Sequence, residues 1–110
     1  MLAPPGNARV FLYQHPTSMR KSFEGLCSAV EAAFPGELLT GAYFVFLNRY
    51  KDHMKVLYWD SDGFAIWYKR LEKGTFASKE KHSTPMERRE FLMLLEGIEP
   101  KRCRQKFIVK

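Results

Sequence analysis

The sequence predicts an α+β domain: a small, mostly antiparallel sheet with helices packed on it, in the order strand, helix, three strands, helix. Three observations carry this expectation. Lys55–Trp59 and Phe64–Leu71 are apolar, aromatic-rich runs separated by Asp60-Ser61-Asp62-Gly63, a composition suited to a β-hairpin. Met19, Phe23, Leu26, Val30 and Phe34 recur at spacings of four, three, four and four, which gathers them on one helical face. Gly41-Ala-Tyr-Phe-Val-Phe-Leu47 is apolar enough to be a central strand.

Taken in order, Arg9–Tyr13 is a short run of strand formers behind Pro4-Pro5-Gly6, and Pro16 closes it. Thr17 or Ser18 is placed to cap the first helix, which Pro35-Gly36 stops after Phe34. The strand at Gly41–Leu47 follows, then a polar turn, Asn48 to His53, that feeds the hairpin. Asp and Gly supply the positive φ angles expected of the hairpin turn. One face of the hairpin is expected to be core and the other free, since a lone hairpin is marginal in water. Thr75–Ala77 is a candidate edge piece, and Ser78–Ser83 a polar linker. Thr84 can cap the second helix, with Pro85 at its first position, Glu87 at the capping-box position and Gly97 after its end. At 110 residues there is room for one domain, set at 1–99 with a basic tail at 100–110.

Composition narrows the function classes. A hydrophobic content of 45% and an aromatic content of 15% speak against disorder. No apolar run approaches the roughly 20 residues of a membrane span, and Met1–Asn7 lacks the regions of a signal peptide. Cys27 and Cys103 show no disulfide or metal spacing. A cytoplasmic protein without cofactor is the expectation. The net charge of +6 is unevenly placed: five of the 18 basic residues lie from Lys101 onward, where no acid stands, which leaves 13 against 12 acidic residues elsewhere. Such a tail either touches phosphates or simply solubilises the end.

Candidate chemistry is sparse. Arg20 and Lys21, placed in the first turn of the first helix, would form an anion site with the free N–H groups there; alternatively Arg20 pairs with Glu24. On the hairpin, Lys55, Trp67, Tyr68, Lys69 and Arg70, with Arg49 and Lys51 nearby, mix rings that can stack on bases with cations that hold phosphates. Strand alternation assigns Trp67 with Lys69 to one face and Tyr68 with Arg70 to the other. Asp60 and Asp62 could hold Mg²⁺ for phosphodiester chemistry, but a tight turn already accounts for them without a metal. His15, His53 and His82 are widely spaced, and no nucleophile, phosphate-loop or dinucleotide motif is present.

Four blocks resemble a known family. They are Tyr13-Gln-His-Pro-Thr-Ser-Met-Arg-Lys-Ser-Phe-Glu-Gly-Leu26, Phe44-Val-Phe-Leu-Asn-Arg49, the hairpin from Lys55 through Trp59-Asp60 and Gly63 to Phe76, and Leu92-Met-Leu-Leu-Glu-Gly-Ile98. In this order and spacing they are similar to the small TnpB-type, second-reading-frame accessory protein of the insertion sequence 66 (IS 66) family of bacterial mobile elements. Ser18, Ser22 and Glu24 stand where that family often has Asp, Gly and Asp. The resemblance implies a role in transposition beside a separately encoded transposase that carries the acidic catalytic residues, and it assigns no catalytic residue to this chain. Three expectations follow. The first is a non-enzymatic factor contacting element DNA. The second is an adaptor that joins the transposase or the other small element protein through the aromatic hairpin. The third is a metal-dependent nuclease built on Asp60 and Asp62.

Overall fold

A computed structural model describes residues 5–76, 86 and 88–95. The expected order is observed: β1 (Val10–Leu12), α1 (Phe23–Ala33), β2 (Tyr43–Leu47), β3 (His53–Trp59), β4 (Phe64–Arg70) and α2 (Arg88–Leu95). The four strands form one sheet in the order β1-β2-β3-β4. β1 runs parallel to β2, whereas β2–β3 and β3–β4 are antiparallel. The sheet is therefore mixed, because α1 carries the chain back across before β2 begins.

Both faces of this sheet are covered, not one. Phe44, Phe46 and Leu57 turn toward Leu26 and Val30 of α1, while Val45, Leu47, Met54 and Val56 turn toward Phe91, Leu94 and Leu95 of α2. That is why β2 is apolar at every position: alternate side chains enter two different cores. Phe44 sits at the centre of the first core, its ring centroid 5.7 Å from that of Phe11 and 5.8 Å from that of Phe34.

The first helix starts later than its apolar stripe suggests. Ser22, not Thr17 or Ser18, is its N-cap residue, and the first helical bond runs from the Leu26 N–H to the Ser22 carbonyl. Ser18 instead closes a local turn, its hydroxyl accepting from the Arg20 N–H at 3.2 Å. The Lys55 ammonium donates to the Met19 and Lys21 carbonyls at 2.9 and 2.8 Å. Those acceptors would otherwise serve an earlier helical turn. The C-terminal stop falls as expected, with Gly36 at φ +83° beyond the C-cap Phe34.

Other departures are local. In the hairpin turn the positive φ belongs to Ser61 (+52°), not to Asp62 or Gly63, and Asp60 N–H bonds the Gly63 carbonyl. Thr75–Phe76 adds no strand; Phe76 is a buried plug whose N–H bonds the Lys51 carbonyl at 2.7 Å, and Ala77 lies outside the described residues. Met86 forms an isolated bridge to Val10 on the outer side of β1, so the chain is extended there and the helix starts at Arg88, later than Pro85. Thr84, Pro85, Glu87, Gly97, the linker and the tail lie outside the described residues.

Candidate nucleic-acid interface

At one end of the sheet, the loop before α1 and the turn before β3 face each other across an open cleft of roughly 490 Å³. The loop is pinned at both ends. Thr17, almost fully buried, donates its N–H to the Leu47 carbonyl at 2.9 Å, and Lys55 holds the Met19 and Lys21 carbonyls. The turn is organised by Asn48. Its amide oxygen accepts the N–H groups of Asp52 and His53, each at 3.0 Å, and its amide nitrogen donates to the Asp52 carboxylate at 2.7 Å. This wraps the chain tightly enough that Lys51 takes φ +59°, a conformation that non-glycine residues rarely hold without such support. Asn48→Ala removes all three bonds and is expected to lower the unfolding free energy by about 1–2 kcal/mol, measured by urea denaturation, with the Arg49–Lys51 amides exchanging faster.

Into the cleft project Arg20 from the loop, Arg49 and Tyr50 from the turn, and His53 from the start of β3. Among the described residues, no acid lines it. Arg20 forms no ion pair with Glu24 among the described residues, and the Arg49 guanidinium lies 6.0 Å from the Tyr50 ring centroid. Tyr50 is 70% exposed. A ring and two guanidiniums beside one opening are chemically suited to a phosphate and an unpaired base.

The cations and rings singled out from the sequence therefore divide. Arg20 and Arg49, far apart in sequence, line the same cleft. Lys21 is exposed just before the helix, not in its first turn; its stem lies over Gly25, where an added Cβ would meet Lys21 Cβ and Cγ at 3.3 Å. Lys55, Tyr68 and Arg70 share the α1 face of the hairpin. There the Lys55 ammonium sits 5.1 Å from the Tyr68 ring centroid, and the Tyr68 hydroxyl shares a 2.8 Å hydrogen bond with His53 Nδ1. Arg70 pairs with Glu72 at 2.9 Å. Trp67 and Lys69 lie on the opposite face: Trp67 packs against the α2 core, and the Lys69 ammonium donates to the Leu95 carbonyl at 3.0 Å, capping α2.

Asn48, Tyr50 and His53 are the contributors that motif reasoning passed over. Their proximity to Arg49 was visible, but not the cleft across from Arg20. Asp60 and Asp62 stay in the turn, and no group of three or more His, Cys, Asp or Glu side chains is arranged to hold a metal among the described residues. Cys27 is half-buried on α1; burial, aided by the Glu31 charge, pushes its thiol up from the ordinary range, which keeps it a weak nucleophile at neutral pH.

A family model described as IS66 Orf2 like protein matches residues 8–105. Two proteins of Sinorhizobium fredii (strain NBRC 101917 / NGR234), both carried as uncharacterized, are similar along nearly their whole length. One, y4jC, is 28% identical over 108 residues, covering 96% of this chain and 92% of its own. The other, y4hO, is 32% identical over 101 residues, covering 90% and 88%. No solved structure matches the chain.

Proposed function

The chain belongs to the IS66 Orf2-like family of insertion-sequence accessory proteins, and on that premise we propose that it acts in transposition as a non-enzymatic factor that contacts element DNA beside the transposase. One observation carries the reading: Arg20 and Arg49 converge from separate segments on an open cleft with no acidic lining among the described residues. Guanidiniums are suited to phosphate because their planar fork offers paired donors. Tyr50 adds an exposed ring for an unpaired base. The basic stretch from Lys101 onward adds charge that would raise the encounter rate without reading sequence.

The adaptor reading through the aromatic hairpin has less support, because, of the two rings it would use, Trp67 is packed against a core and only Tyr68 is exposed. No described helix is long and apolar enough to cross a membrane. The proposed place of action is the cytoplasm, where element DNA lies. In an electrophoretic or fluorescence titration the protein is expected to bind fragments of the element's end with a steep salt dependence. Replacing Arg20 and Arg49 together by Ala is expected to weaken binding about tenfold or more. It should also flatten the log–log salt slope by about two for duplex DNA, since each phosphate contact contributes about 0.9. An unchanged affinity and slope would overturn the assignment.

A further inference from the structure

We infer that β4 is a self-association edge, along which two copies of this chain pair antiparallel to make one continuous sheet. The two outer strands of the sheet are treated differently. β1 is bridged on its outer side by Met86, whose N–H donates to the Val10 carbonyl at 2.8 Å. Among the described residues no strand pairs with the outer side of β4.

The direction of its backbone groups follows from the ladder. The bonds Asp60 N–H to Gly63 carbonyl and Leu71 N–H to Asp52 carbonyl flank the β3–β4 pairing, whose register is unbroken from His53↔Arg70 to Trp59↔Phe64. Hydrogen-bonded pairs alternate in an antiparallel ladder, so Ala65, Trp67 and Lys69 bond inward to β3. Phe64, Ile66, Tyr68 and Arg70 therefore turn their N–H and C=O groups outward. Edges of this kind are normally blunted by proline, a bulge or charges. β4 has no proline and no bulge, and its cations, Lys69 and Arg70, stand at one end only.

The opposite end supplies the complement. Asp60 and Asp62 precede the strand in an exposed turn, so β4 is acidic where it begins and basic where it ends. An antiparallel two-fold inverts one copy against the other. With Ile66 opposite Ile66 of the second copy, Tyr68 lies opposite Phe64, and Arg70 comes level with Asp62 twice over. Arg70 turns to the α1 face of the joined sheet, and Asp62, in the bend just before β4, comes level with it at the start of the second copy's strand. Arg70 would then exchange or share its exposed pair with Glu72.

The test uses the full chain in sedimentation equilibrium across a wide concentration range. Wild-type protein is expected to dimerise reversibly, and Asp62→Arg alone or Arg70→Asp alone to weaken the dimer on the order of tenfold, by turning attraction into repulsion at two symmetric contacts. Mixing the two variants should restore a heterodimer. The arginine introduced at position 62 of one copy then meets the aspartate introduced at position 70 of the other, while the native Arg70 and Asp62 pair at the second contact. A fold defect in either variant cannot produce that rescue. Ile66→Pro removes an outward N–H and no bond to β3 and should abolish pairing; it also removes packing against the α1 core, so the charge-reversal rescue, which needs both variants folded, is the deciding arm. A wild-type chain that remains monomeric throughout overturns the inference. So does a dimer indifferent to the charge reversals, or a mixture of the two variants that does not associate.

Discussion

Phe44→Ala is expected to lower the unfolding free energy by about 3–5 kcal/mol, the range for truncating a buried aromatic ring. Phe44 is fully buried on the central strand, and its ring is the meeting point of three elements: Phe11 from β1, Phe34 from the end of α1 and the strand itself. No neighbour can move in without giving up another contact. Phe46 and Leu57 already hold the next positions toward Leu26 and Val30, so the cavity persists, and its cost adds to the lost transfer energy. A domain of this size holds roughly 5–15 kcal/mol in total, so this one change removes a large part of it. The measurement is the urea midpoint at unchanged slope. Phe44→Leu should lose much less, since it refills most of the volume. A loss below about 1 kcal/mol for the alanine variant would mean that the α1 layer is not seated on the sheet as described.

The same core shows what local sequence can and cannot specify. Leu26 and Val30 were legible because helical periodicity is a local property, and the run of β2 was legible because a strand covered on both sides must be apolar throughout. Met19 was misplaced by the same logic. It continues the stripe at a spacing of four, but its carbonyl is taken by Lys55, 36 residues away, and no local pattern announces such a capture. Strand alternation correctly separated Trp67 with Lys69 from Tyr68 with Arg70. It could not reveal that both faces are packed, because that depends on α2 lying across the sheet from α1. At the candidate site the individual cations were visible and their convergence was not. Arg20 and Arg49 line one cleft because Thr17 is tied to the end of β2 and Lys55 holds the Met19 and Lys21 carbonyls. The bridge from Met86 to Val10 left no compositional mark, and among the described residues it is what distinguishes the outer side of β1, which is bridged, from that of β4, which is not.

Lys55→Met is the change that separates support from contact at the site. Lys55 is half-buried under the Tyr68 ring, and its ammonium bonds two main-chain carbonyls of the loop that carries Arg20. Methionine keeps most of the stem's length and apolar packing, so the loss is chiefly that of the two bonds and the charge. Hydrogen bonds to a charged group contribute about 1.5–3 kcal/mol, and partial exposure of the carbonyls lets water recover some of it, so a loss of about 1–2 kcal/mol is expected. The loop should respond before the core does. Amides from Ser18 to Ser22 are expected to exchange faster, while those of β2 keep their protection up to the lowered global limit. DNA affinity should fall with them, because Arg20 is no longer held opposite Arg49. Lys55→Arg, which retains a positive donor, should recover part of both effects. If Lys55 instead met DNA directly, stability and exchange would be unchanged in Lys55→Met, and the salt slope alone would flatten by about one. The two outcomes assign this lysine, and with it the hairpin's α1 face, either to holding the cleft in shape or to binding within it.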